Sequence, residues 1–195
     1  MKSVLISIQP KWCQKIISGE KTVEIRKSRP KIQTPFKCYI YCTKPKELFD
    51  LSYDVQFGKV IGEFVCDWIE STPLWRLKGN TGFLAKRTER EEKLPQMACL
   101  SLDEIYRYIL NENKLIYGWH IKDLVIYENS LDINDFVAEG DCTCEKCKEC
   151  KYFERGNGYN VESDCLLPYQ HNFKTVKPLF RPPQSWCYVE ELTAY

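Results

Sequence analysis

The stretch "ISGEKTVEIRKSRPK", Ile17 to Lys31, decides how this chain is to be read. Within it Val23 and Ile25 alternate with Thr22, Glu24 and Arg26, the period of two expected of a strand with one apolar and one polar face. Ahead of it, Trp12, Cys13, Ile16 and Ile17 fall at helical spacing between Pro10 and Gly19. Proline is tolerated in a first helical turn, where its missing N–H has no partner to lose, and glycine suits the left-handed residue that stops a helix. The expectation is a short helix, a turn at Gly19, and a half-buried strand that carries Lys21, Glu24 and Arg26 on its polar face. From Lys21 to Lys37 six cations (Lys21, Arg26, Lys27, Arg29, Lys31, Lys37) stand against one acid, Glu24. Such a cluster is either a solvated strand edge, where cations discourage aggregation, or a patch that attracts phosphate. Glu24, flanked by Lys21 and Arg26, is held ionised by them. It serves either as a carboxylate for a base edge or an attacking water, or as half of a surface ion pair worth about 0.5 kcal/mol.

Outward from this stretch the chain reads as strands with few helices. "SVLISI", "FKCYIYC" and "GKVIGEFVCDWI" (Gly58 to Ile69) are rich in β-branched and aromatic residues and read as strands. Residues 71 to 99 are polar and irregular, with a charged segment "AKRTEREEK" of possible helical character. Ser101 followed by Glu104 is a capping box, opening a helix through about Leu110 with Leu102, Ile105, Tyr106 and Ile109 on one side. "YGWHIKDLVIY" is expected as one long strand and "LFRPPQSWCYVEEL" as a closing one. The fold class is α+β, mainly β: a small, mostly antiparallel barrel with two or more short helices.

The chain has 195 residues, 44% hydrophobic and 28% charged, enough for one domain with a sizeable core. A net charge of +1 excludes a global polycation, so any nucleic-acid case rests on local clustering. No apolar run approaches the roughly 20 residues of a membrane helix, and no signal-peptide pattern opens the sequence. The expected location is the cytoplasm, where eleven cysteines stay reduced and need a role other than disulfides.

The residues so far resemble an ASCH domain, a branch of the PUA-like barrel superfamily. "IISGEKTVEIR" fits the signature G-x-K-x-x-E-x-R with Gly19, Lys21, Glu24 and Arg26, flanked by "SIQPKWCQKI", "GKVIGEF", "YGWHIKDLVIY" and "RPPQSWCYVEE". The resemblance spans residues 1–138 and 176–195, and it implies a PUA-like barrel that takes RNA or a nucleotide-like ligand. Some ASCH proteins are small hydrolases that deacetylate acetylated cytidine or are linked to RNA cleavage. Their amidohydrolase pattern uses the lysine matching Lys21, a threonine two residues before the arginine, and a distant glutamate. Here Glu24 fills the threonine position, and Glu63 is an alternative acid outside the motif. A lysine acting as nucleophile or base must also shed its proton, which an adjacent glutamate opposes. The candidate ligand site is therefore Lys21, Glu24, Arg26, Lys27 and Arg29. Trp119 and Trp186 are candidate stacking platforms that are otherwise core, and His120 is a candidate pocket residue that is otherwise structural.

Composition changes near residue 139. The segment 139–175 has little apolar content and no sustained period, so it needs something other than a core to order it. "CTCEKCKEC" sets Cys142, Cys144, Cys147 and Cys150 within nine residues, and Cys165 follows after fourteen more. Paired C-x2-C thiolates suit a tetrahedral, structural Zn2+. The expected ligands are Cys144, Cys147, Cys150 and Cys165, with Cys142 and His171 as alternates. The iron–sulfur reading lacks the usual fourth cysteine followed by proline. Cys13, Cys38, Cys42, Cys66, Cys99 and Cys187 are expected as buried free thiols. The reading is an RNA- or nucleotide-binding module with a structural zinc site; the alternatives are a small hydrolase on a modified nucleoside or RNA, and a protein-interaction adaptor.

Overall fold

The apolar run at the start of the chain becomes an inner strand buried on both faces. In a computed structural model that describes residues 2–45, 55–73, 89–109, 115–141 and 174–192, β1 (Lys2–Ile8) pairs with β3 (Phe36–Cys42) on one side and β10 (Trp186–Glu190) on the other. Adding β4 (Lys59–Cys66) and β7 (Lys122–Leu131) gives a five-stranded sheet in the order β10-β1-β3-β4-β7. Only the β1–β3 pair within it is parallel. A second sheet, β2-β6-β5, joins β2 (Val23–Arg26), β6 (Leu115–His120) and β5 (Ile69–Pro73). The antiparallel ribbon β8 (Val137–Asp141) and β9 (Lys174–Pro178) forms a third sheet, with β8 lying beside β10. Three α-helices accompany these strands among the described residues: α1 (Pro10–Ile17), α2 (Glu89–Met97) and α3 (Leu102–Ile109).

The burial pattern explains why β1 shows no alternation in sequence. Val4, Ile6 and Ile8 join Cys38, Ile40, Phe64 and Trp119 in one core cluster, while Leu5 joins Tyr39, Tyr41, Phe136 and Val189 in another. A strand covered on both faces reads as a continuous apolar run. A third cluster packs Val23, Ile25 and Ile116 of the second sheet against Leu94, Ala98, Ile105 and Ile109 from the helical region. Each such side chain contributes about 1.5–3 kcal/mol relative to exposure. The capping box stands as read: Ser101 N–H donates to Glu104 Oε2 at 2.8 Å, and Glu104 N–H donates to Ser101 Oγ at 3.2 Å.

Three expectations change. The barrel does not close: among the described residues the sheets remain open, and no ladder joins them. The single strand expected over Tyr117–Tyr127 is two. Its chain leaves the second sheet at His120, passes Ile121 and enters the first sheet, with Asp123 at φ +47° where the strand starts. The run Gly58–Ile69 likewise divides, because β4 belongs to the first sheet and β5 to the second. Gly62 permits the closest approach in this region, since a Cβ there would overlap the Val125 carbonyl oxygen of the adjacent strand.

Candidate functional site

A cavity of about 700 Å3 lies where the two sheets fail to meet, with β1 and β2 both contributing to its wall. Local sequence places the charged residues there. Gly19, at φ +77°, turns the chain after α1 in a conformation that costs glycine little. The Lys21 N–H then returns to the Lys15 carbonyl at 2.9 Å, and Thr22 N–H bonds Met97 O at 2.9 Å. Lys21 thus precedes β2 rather than lying on it. Along β2, Val23 and Ile25 pack toward α2 and α3, which sends Glu24 and Arg26 to the opposite face.

That face is buried, not solvated. Lys21, Glu24 and Arg26 are 2%, 7% and 6% exposed. Lys21 Nζ donates to the Ala98 carbonyl at 2.6 Å and pairs with Glu24 Oε2 at 3.2 Å. Glu24 Oε1 accepts from the Arg26 guanidinium at 3.1 Å, so one carboxylate bridges two cations. Arg26 also donates to the Ser7 carbonyl at 2.7 Å and to Ser185 Oγ at 3.3 Å. It therefore ties β2 to β1 and to the segment before β10. Desolvating charges is costly, and a buried cluster survives when further hydrogen bonds satisfy its members. Here nearly all are satisfied: Arg26 Nε is buried with no hydrogen-bond partner among the described residues. Two cations against one carboxylate leave the wall positive.

The other expected residues divide. Lys27 and Arg29 are exposed just beyond β2, and the Lys27 ammonium lies 4.6 Å from the centroid of the Tyr108 ring, which lines the cavity. Glu63 lies away from the cavity, accepting from Tyr127 Oη at 2.6 Å and pairing with Lys37 at 3.0 Å. Burial alone would lower Lys37, but hydrogen bonds to Glu63 and Glu191 hold it above its ordinary value. Trp119 is 0% exposed and packs edge-on against Phe36, with ring centroids 5.8 Å apart, so no ligand can reach its face. Trp186 is half-buried against Trp119 and Tyr188, its indole N–H donating to Ser28 Oγ at 3.1 Å. The His120 Nε2 lies 3.7 Å from Glu70 Oε1, and neither Trp186 nor His120 lines the cavity.

Sequence reading passed over other aromatic and charged residues that line it: Lys11 and Trp12 on α1, Lys44 after β3, and Glu104 and Tyr108 on α3. A signal existed in α1, where Pro10, Cys13 and Ile16 form the buried stripe and Trp12 stands beside it. A large aromatic residue off the buried stripe of a short helix is poorly used by the core. On α3, partial burial raises the Tyr108 phenol above its ordinary value, opposed by the nearby Arg26. Glu104 is held below its ordinary value, first by the Ser101 N–H.

The metal-ligand candidates Cys142, Cys144, Cys147, Cys150, Cys165 and His171 lie outside the described residues. Of the six described cysteines, all free, Cys13, Cys38, Cys42 and Cys66 are buried, while Cys99 and Cys187 are partly exposed. Burial pushes the Cys66 thiol up to about 12 and the Cys187 thiol up to about 11, which keeps both protonated and inert.

This chain shares its fold with solved structures of an ASCH protein. It is similar to the crystal structure of the ASCH protein from Zymomonas mobilis, at 20% identity and a TM-score of 0.52, covering 97% of this chain and 88% of that one. A tyrosine-to-phenylalanine variant of the same protein matches at 19% identity and a TM-score of 0.52, covering 98% and 92% of the two chains. A serine-to-alanine variant matches at 18% and 0.52, covering 97% and 89%. No family model and no curated protein matches the sequence. No described helix is long and apolar enough to cross a membrane.

Proposed function

We propose that the cavity between β1 and β2 binds RNA or a nucleotide-like ligand. The observation that carries this reading is the buried Lys21–Glu24–Arg26 cluster in the cavity wall, net positive and with one guanidinium N–H unpartnered. A phosphate or a polar base edge in the cavity would face that positive wall, and charge-assisted hydrogen bonds contribute about 1.5–3 kcal/mol each. Exposed Lys27 and Arg29 extend the positive surface beyond the cavity. Fluorescence anisotropy with short labelled RNAs at two salt concentrations tests the site. Binding should weaken with salt, and Arg26→Ala should weaken it about tenfold or more. Unchanged affinity in that variant would remove the site assignment.

Binding is favoured over hydrolysis because Lys21 Nζ is committed as a donor to Ala98 and Glu24, and Glu24 occupies the position where the hydrolase pattern has threonine. Turnover of acetylated cytidine or labelled RNA, abolished by Lys21→Ala, would reverse that preference.

The Cys-rich segment 139–175 is proposed to hold one structural Zn2+ through Cys144, Cys147, Cys150 and Cys165, with Cys142 and His171 as alternates. The β8–β9 ribbon supports an insertion with its own ordering device, because it brings Asp141 opposite Lys174 at either end of the segment. Metal analysis of purified protein should give about one equivalent of zinc, since structural sites contribute folding energy outright. Less than half an equivalent, without iron, removes the proposal. Six free thiols among the described cysteines support a reducing, cytoplasmic setting.

A further inference from the structure

Two aromatic rings of the cavity lie beside an exposed lysine, Tyr108 beside Lys27 and Trp12 beside Lys11, and of the two it is Trp12 that packs on the main core. Trp12 lines the cavity, half-buried, and packs against the main core cluster, so its ring is fixed from behind. Two cations attend it: Lys11 Nζ lies 4.2 Å from the ring centroid and Lys21 Nζ lies 5.2 Å away. These two lysines differ in freedom. Lys21 is buried and committed to Ala98 and Glu24. Lys11 is exposed.

The magnitudes decide what occupies the ring when a ligand arrives. An exposed cation–π contact is worth about two- to fivefold in affinity, whereas a base stacked on an aromatic side chain is worth about five- to a hundredfold. A planar base therefore displaces the Lys11 ammonium from the indole, and the displaced ammonium, still at the cavity mouth, remains available to a phosphate. Resting on the reading of the cavity as a nucleotide-like site, we infer that Lys11 and Trp12 act as a paired reader: Trp12 stacks the base of a nucleoside monophosphate, and Lys11 leaves that ring to bind its phosphate. The pair selects a ligand that carries both a planar ring and an anion, over either part alone.

The full-length protein is titrated with the four ribonucleoside monophosphates, the matching nucleosides and inorganic phosphate, by calorimetry and by following the Trp12 indole N–H resonance, assigned with Trp12→Phe. For the wild type, at least one monophosphate should bind tighter than its nucleoside, with the Trp12 resonance shifting. Trp12→Ala should weaken the monophosphate about tenfold, and Trp12→Phe, which keeps a ring against the core, should recover most of that loss. Lys11→Ala, an exposed change that leaves the core intact, should bring the monophosphate down to the affinity of its nucleoside, while the nucleoside binds no more weakly than to the wild type because no ammonium has to leave the ring. Equal weakening of nucleoside and monophosphate by Lys11→Ala, or a Trp12 resonance unmoved at saturation, overturns the paired reader. If a monophosphate binds with dependence on Arg26 but not on Trp12 or Lys11, the cavity reading survives and this inference fails. If no monophosphate, nucleoside or RNA binds the wild type, both fail.

Discussion

Glu24→Ala should destabilise the protein by roughly 3–5 kcal/mol, measured by denaturant unfolding, the scale on which one partner of a buried ion pair is lost. The size follows from what remains. Removing the carboxylate leaves Lys21, with its side chain 1% exposed, and Arg26, at 7%, as two buried cations without a counter-ion. Their hydrogen bonds to Ala98 and Ser7 persist, but a carbonyl dipole does not neutralise a charge. Lys21→Met in the Glu24→Ala background should recover part of the loss, so that the two changes cost less together than their sum. A cost below about 1 kcal/mol for Glu24→Ala would mean that water reaches the cluster and that the cations are not desolvated.

Trp119→Ala should cost about 3–5 kcal/mol in the same assay, the usual range for truncating a large aromatic core residue. Trp119 is the largest fully buried side chain among the described residues and touches Phe36 and Trp186. Its indole N–H has no hydrogen-bond partner among them, so Trp119→Phe should cost less than the alanine change. Ligand affinity, measured where each variant is still folded, should not move. A stable Trp119→Ala protein that fails to bind RNA would restore this residue as a stacking platform.

The sequence showed which segments become strands more clearly than it showed how those strands are shared between sheets. β-Branched runs made β1, β3 and β4 visible, and Pro10, Gly19 and the Ser101–Glu104 box marked helix ends through local chemistry. The division at Ile121 was not visible because Tyr117 to Tyr127 is apolar enough throughout to pass for one strand. The switch there depends on which partner each half meets, β2 and β5 or β4. The signature residues were legible as a charged cluster, but their burial was not. Alternation of charged and apolar residues predicts a wet face, and here the face is dry because partners distant in sequence satisfy it. Ala98, 77 residues from Lys21, and Ser185, 159 from Arg26, supply those contacts. For Trp119 the sequence left two readings open, stacking platform or core, and its burial against Phe36 fits the core one. Trp119 and Trp12 are equally conspicuous in sequence, and only the packing of the sheets decides which of them is covered.

The β8–β9 ribbon has a consequence for how this chain tolerates change. Its strands pair from Val137 with Pro178 to Asp141 with Lys174, so everything between them departs and returns through one doorway. The free-energy cost of holding the two ends of such an excursion together rises only with the logarithm of its length. Length variation in residues 142–173 therefore makes little demand on the two sheets. Changes of length there are taken up at the ribbon, whose own residues are not among those that line the cavity.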